Sequence, residues 1–149
     1  MMMPKLNLPS QNFSFSQELG KVKIFDRFRK KPVVLTPEEW VRQNLLAYLV
    51  EHKNYPMGWL AVEKEINING LKRRYDALAY DQQQQLHTLI ECKAPNVPIS
   101  QKVFDQILTY NYQLQAPNLL ISNGFQHVFA KVDLNKKTFE LLEEIPNFK

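Results

Sequence analysis

The dipeptide Asn69-Gly70 restricts this chain more than any other feature. It falls between two runs of strand character, Trp59 to Ile68 and Leu71 to Tyr80. Asn-Gly tolerates positive φ at both turn positions, so between alternating runs it predicts a two-residue hairpin. In the first run Leu60, Val62, Ile66 and Ile68 alternate with other residues and are expected on one face. Asp81 and the glutamines 82–85 read as a polar loop. His87 to Lys93 reads as a third strand, which Ala94-Pro95 to Pro98 ends. Three strands in sequence need an apolar cover, and the rest of the chain supplies it.

A helix is expected from Thr36, a good N-cap, with Pro37 in the first turn and Glu39 completing a capping box. Val41, Leu45, Tyr48 and Leu49 form its apolar stripe, and it should fade near Asn54, before Pro56. Ser100 is the expected cap of a second helix reaching about Gln115, with Phe104, Ile107, Leu108 and Leu114 on its buried face. Asn118 to Ser122 is almost wholly apolar, as a central buried strand should be. Asn123-Gly124 turns the chain. Val128 to Val132 and Thr138 to Leu142 read as two more strands around a turn at Asn135. Ahead of the first helix, Phe13 and Phe15 suggest a short strand or packed arm, Lys21 to Arg29 a strand or hairpin, and residues 1–12 a frayed segment. The order predicts an α/β fold, a mixed central sheet flanked by helices.

Length and composition narrow the class. At 149 residues the chain fits one domain. It divides into an N-terminal arm or hairpin (1–31), a core (32–133) and a terminal strand and tail (134–149). The longest strictly apolar run, Leu45 to Val50, is too short to span a bilayer, and the N-terminus lacks the apolar core of a signal peptide. Cys92, the lone cysteine, excludes an internal disulfide and is expected to be buried and inert. A cytoplasmic protein is expected. The net charge of +4 permits a polyanionic partner. Lys21, Lys23, Arg27, Arg29, Lys30 and Lys31 crowd eleven residues that hold one acid, Asp26, and Lys72, Arg73 and Arg74 form a second cluster. Each is either a solvated surface or a set of phosphate contacts.

Chemistry concentrates around the third strand. Glu91 and Lys93 are two apart and share a strand face, with Thr88, Ile90 and Cys92 on the other. If the second and third strands pair around residues 82–85, Asp76 approaches Glu91. Two carboxylates are hard oxygen ligands for Mg²⁺ or Mn²⁺. Such an ion polarises a phosphodiester and lowers the pKa of a bound water. A lysine beside it orients that water or stabilises charge on the phosphoryl oxygens. The bland alternatives are an Asp76–Arg ion pair and an ordinary Glu-x-Lys triplet like the solvated Glu51-His52-Lys53.

Asp76 followed by Glu91-Cys92-Lys93 resembles the signature of the PD-(D/E)xK nuclease superfamily. Arg74-Tyr75-Asp76, Ile90 to Pro95, Gln106-x-x-x-Tyr110, Ile121 to Gly124 and Thr36 to Gln43 are similar to the N-terminal nuclease domain of type I restriction enzyme R subunits, above all to short stand-alone bacterial forms. The resemblance spans about residues 32 to 130. It implies a restriction-endonuclease-like fold and a metal-dependent DNA nuclease. Asp76 and Glu91 would bind the metal with the backbone carbonyl of Cys92, and Lys93 would act on water or phosphate. Gln106 would support Lys93 or touch the nucleic acid backbone, with Tyr110 on the same helical face; both could equally be polar residues flanking core. Glu39 would be an auxiliary acid, or simply the capping-box partner. Arg42 would meet a phosphate, or pair with Glu38. Arg74, Lys30 and Lys31 are further candidate nucleic-acid contacts, whereas Glu63 and Glu65 read as solvated.

No G-x-x-x-x-G-K-[ST] occurs, so no phosphate loop for ATP is expected. His52, His87 and His127 share no metal-ligand spacing. The partners implied are DNA and other protein subunits for targeting, with no membrane. Alternatives to a nuclease are a non-cleaving nucleic-acid-binding or assembly module on the same fold, and a structural ion cluster.

Overall fold

Three short antiparallel strands come first in the computed structural model, which describes residues 3–149. They are β1 (Phe15–Glu18), β2 (Lys21–Asp26) and β3 (Lys31–Val34). The alternation from Lys21 is thus a strand and then a turn, and β3 continues across the division anticipated after residue 31. Asp26 closes β2 as a fully buried carboxylate that accepts from the Phe28 N–H at 2.8 Å and pairs with Arg29.

Helix α1 (Pro37–His52) follows, capped as expected: Thr36 Oγ1 accepts from the Glu39 N–H at 3.0 Å. The other half of the capping box does not form. The Glu39 carboxylate is taken by Arg29, Arg42 and Gln43 instead, because charge-assisted partners outcompete a neutral amide.

A 3₁₀ turn (Met57–Trp59) leads to β4 (Leu60–Ile68), β5 (Leu71–Tyr80) and β6 (Leu86–Cys92). Trp59 belongs to the turn, not the strand. Ser100 Oγ caps helix α2 (Gln101–Leu114) through the Val103 N–H at 3.2 Å, and Gln115 ends it in the left-handed region at φ 69°. Asn111, rather than the half-buried Leu114, completes the buried face. Its side chain bonds both the carbonyl and the N–H of Ala116, at 2.8 and 3.1 Å. Strands β7 (Asn118–Ser122), β8 (His127–Asp133) and β9 (Thr138–Leu142) complete a six-stranded sheet in the order β4-β5-β6-β7-β8-β9. Of these neighbours only β6 and β7 are parallel, and α2 is the crossover between them. The architecture is a mixed α/β sheet with two helices, consistent with a restriction-endonuclease-like fold.

The helices cover opposite faces. Val41, Leu45, Leu46 and Leu49 of α1 pack with Ala77, Ile90, Leu120 and Phe129. Phe104, Ile107 and Leu108 of α2 pack with Leu78, Leu89, Leu119 and Ile121. Consecutive residues 119, 120 and 121 therefore alternate between the layers, as strand geometry demands. Each buried Leu or Ile contributes roughly 1.5–3 kcal/mol, against about 1 kcal/mol for a cap, so the two layers hold the helices in place.

The expected single face of β4 is corrected. Leu60 and Val62 pack in the α1 layer, but Ile66 packs in the α2 layer. On β5, likewise, Ala77 belongs to the α1 layer and Tyr75 to the α2 layer. The change falls at Glu63, whose φ of 51° breaks the extended alternation.

The expected frayed start is corrected for residues 3–12; residues 1 and 2 lie outside the described part. Leu6 is buried, the Asn7 N–H donates to the Gly124 carbonyl at 2.8 Å, and Trp40 Nε1 donates to the Pro4 carbonyl at 2.8 Å. Gly124 has φ +91°, and a Cβ there would lie 2.6 Å from Leu6 Cδ2. Among the described residues no helix is long and apolar enough to cross a membrane.

Candidate active site

The pairing of β5 with β6 sets Ala77 opposite Ile90. One step further along both strands, Asp76 faces Glu91. Asp76 Oδ2 accepts from the Cys92 N–H at 2.8 Å, which fixes its carboxylate at the end of β6. Burial pushes the Glu91 carboxyl up, and the charge and hydrogen bond of Asp76 push it further, to about 9; Arg73 and Lys93 offset this only in part. Glu91 therefore retains its proton at neutral pH, as a buried carboxyl group beside a second acid does.

Lys93 directly follows β6. Its N–H donates to the Ser122 carbonyl at 2.8 Å, extending the β6–β7 ladder by one step, and its ammonium is among the charges acting on Glu91. The neighbouring Cys92 is buried, and burial raises its thiol well above the ordinary value. It is a core residue, not a nucleophile.

A second charged group adjoins the pair on the α1 side. A cleft of about 300 Å³ is lined by Arg29, Glu39, Arg42, Glu63, Asp76 and Cys92. Arg29 Nη2 lies 2.7 Å from Glu39 Oε1, and Arg29 Nη1 2.9 Å from Glu63 Oε2; Arg29 also pairs with Asp26. Arg42 pairs with Glu39, lies 3.4 Å from Glu63 and reaches Asp76 Oδ1 at 3.7 Å. Gln43 Nε2 donates to Glu39 at 2.7 Å. Burial works to raise the Glu39 carboxyl, but Arg42, Gln43 and Arg29 together hold it below its ordinary value. Two expectations are thereby corrected. Arg42 pairs with Glu39, Glu63 and Asp76, not with Glu38. Glu63 is half-buried and bridged to two arginines rather than solvated; Glu65 remains exposed.

On the α2 side, Gln106 Nε2 donates to Tyr110 Oη at 2.9 Å, one helical turn apart. The Arg73 guanidinium stacks on the Tyr110 ring, 3.4 Å from its centroid, and lies 5.6 Å from that of Tyr75. The chain from Gln106 through Tyr110 and Arg73 thus leads toward Glu91.

Asp76, Glu91, Lys93, Glu39 and Arg42 therefore stand around the point where the pairing of β5 with β6 ends, and Gln106 and Tyr110 flank it. Lys30, Lys31 and Arg74 are exposed and make no side-chain contact with the carboxylate pair. Arg29 and Arg73 were not singled out by the sequence as site residues, and Glu63 was read as solvated. Arg29 and Arg73 lay inside basic runs with no mark to distinguish them.

The donor set suits a hard divalent ion. Two carboxylates converge, and Cys92, whose carbonyl the sequence suggested as a third oxygen, ends the same strand. The described residues contain no group of three His, Cys, Asp or Glu side chains placed to hold an ion. An ion here would thus keep several waters. A larger cavity of about 540 Å³, where Asn7 and Leu8 meet Leu142 to Ile145, contains none of the predicted site residues.

A family model described as "Type I restriction enzyme R protein N terminus" matches residues 37–146. No curated protein matches the chain. Among solved structures, a fragment described as an HsdR subunit of a type I restriction enzyme from Vibrio vulnificus YJ016 superposes with a TM-score of 0.53 at 16% identity. That match covers 76% of this chain and 24% of the other, which is a likeness of fold.

Proposed function

The chain belongs to the type I restriction enzyme R protein N-terminus family, and from that premise we propose that it is a metal-dependent nuclease of the PD-(D/E)xK kind, hydrolysing DNA phosphodiester bonds. One observation carries the reading. Asp76 and Glu91 meet where the pairing of β5 with β6 ends, burial and the neighbouring Asp76 together raise Glu91 to about 9, and Lys93 directly follows β6. A buried acid raised this far beside a second acid and a lysine is the kind of perturbed group that clusters at functional sites.

In this reading Asp76, Glu91 and the Cys92 carbonyl would hold Mg²⁺ or Mn²⁺. The ion, when bound, polarises the phosphodiester and makes its water acidic. Asp76 is kept in position by the Cys92 N–H, and Glu91 would be the ligand that must lose its proton to serve. Lys93 orients the attacking water or stabilises the charge on the phosphoryl oxygens. Gln106 supports Lys93 or the nucleic acid backbone through the same helix face as Tyr110. Glu39 acts through Arg42, which touches Asp76, and orients the site from a distance. The arm-side residues Lys30 and Lys31, with Arg74, supply longer-range attraction for the polyanion. Other subunits provide targeting, and a cytoplasmic site of action accords with a DNA substrate.

The test is cleavage of plasmid and single-stranded DNA with Mg²⁺ or Mn²⁺, comparing wild type with Asp76→Ala and Lys93→Ala. Loss of a hundredfold or so in each variant is the expected result. Equal cleavage by all three proteins rejects the reading, since the activity would then come from elsewhere. Salt-sensitive DNA binding without turnover under any divalent ion favours a non-cleaving module on this fold.

A further inference from the structure

Three guanidinium groups border the Asp76–Glu91 pair, and they are not equivalent. Arg29 is balanced by Asp26, Glu39 and Glu63. Arg42 is balanced by Glu39, Glu63 and Asp76. Among the described residues Arg73 forms neither an ion pair nor a side-chain hydrogen bond. Its Nε is buried without a partner. It is nevertheless held in place, its plane stacked 3.4 Å from the centre of the Tyr110 ring, whose hydroxyl is in turn fixed by Gln106.

Stacking occupies the face of a guanidinium and leaves its edge available. Burial of Nε restricts that edge to the two terminal nitrogens, which can grip two oxygens of one phosphate. A cation that is pinned but has no hydrogen-bond partner, on the Glu91 side of the acid pair, is half of a charge-assisted contact. We propose that Arg73, locked against Tyr110, grips a backbone phosphate of the nucleic acid beside the Asp76–Glu91 pair. Arg29 and Arg42 have no such freedom and organise the carboxylates instead. The inference rests on the reading of a nucleic-acid substrate at this site, but not on whether the substrate is cut.

The test measures binding and cleavage separately. A fluorescent 20-base-pair DNA duplex is titrated in EDTA at several salt concentrations with wild type, Arg73→Gln and Arg73→Lys, and the same proteins are assayed on plasmid with Mg²⁺. Arg73→Gln should weaken binding on the order of tenfold or more. It should also reduce the slope of log affinity against log salt by about 0.9, the share of one phosphate. Arg73→Lys keeps the charge and hence the slope, but loses the stack and part of the affinity. Should Arg73→Gln fail to fold, Tyr110→Leu replaces it, with weaker binding at an unchanged slope expected. An Arg73→Gln slope equal to wild type, unchanged affinity in both substitutes, or no binding by wild type overturns the proposal. If wild type cleaves and Arg73→Gln binds as wild type does, the phosphate grip fails and the nuclease reading stands. If binding depends on Arg73 but no divalent ion supports cleavage, the grip stands and the nuclease reading fails.

Discussion

Glu63 and Asp76 hold facing positions on β4 and β5, between the pairs Val62–Ala77 and Lys64–Tyr75, and Arg42 bridges them at 3.4 and 3.7 Å. An arginine from α1 thus ties both strands to the helix, with Glu39 as its buried partner. Removing it leaves Glu39 with less compensation in a buried setting. Arg42→Ala should therefore destabilise the fold by roughly 3 kcal/mol. Urea unfolding measures this, and a loss under 1 kcal/mol would show that Arg29 alone suffices for the cluster.

The acid pair predicts an alkaline trend in stability. Glu91 titrates near 9 in the folded protein, against an ordinary 4.5. Between those values the folded protein holds a proton that the unfolded chain has released, so stability falls as pH rises through the window. Denaturant midpoints measured in EDTA from pH 5 to pH 9 should decline, and Glu91→Gln should flatten that decline. A wild-type profile already flat over this range contradicts the raised Glu91 carboxyl.

Asp26 governs the acid side. Burial works to raise its carboxyl, but the hydrogen bonds from Arg29 and the Phe28 amide hold it below its ordinary 3.8. Its contribution is present above that value and disappears as pH falls through the lower folded value. Asp26→Asn should cost roughly 2 kcal/mol at pH 7. The gap from wild type should close on acidification. A gap of constant size from pH 7 to pH 2 would assign the loss to packing rather than charge.

Gln115 offers a stabilising change. It terminates α2 at φ 69°, a conformation that costs an L-residue about 1 kcal/mol and costs glycine almost nothing. Its side chain makes one exposed contact, to the Tyr112 carbonyl at 3.1 Å. Gln115→Gly should raise stability by about 1 kcal/mol, visible as a higher melting temperature. An unchanged or lower melting temperature would mean that the side-chain contact outweighs the backbone strain.

Local signals announced the parts of this fold that depend on neighbours in sequence. Asn69-Gly70, the caps Thr36 and Ser100, and the apolar run at Asn118 to Ser122 each act within a few residues, and each element formed where expected. The facing of Asp76 and Glu91 was also legible, because one loop joins their strands. The arginine-carboxylate cluster was not. It gathers Asp26, Arg29, Glu39, Arg42 and Glu63 from a strand end, a turn, a helix and a second strand, and no period in the sequence links them. The same cluster explains the incomplete capping box. The divided face of β4 was hidden for another reason: a glutamate gives no warning of positive φ, as a glycine would.

That division has a bearing on how the hairpin finds its alignment. In an evenly pleated ribbon, a slip of two residues returns every side chain to its original side, so apolar content alone distinguishes such frames poorly. Here the α1-facing and α2-facing sides of both strands exchange partway along, and a displaced frame would bring one half to the wrong helix. The crossover point thereby acts as an index mark that aligns β4 with β5 and sets Glu63 opposite Asp76.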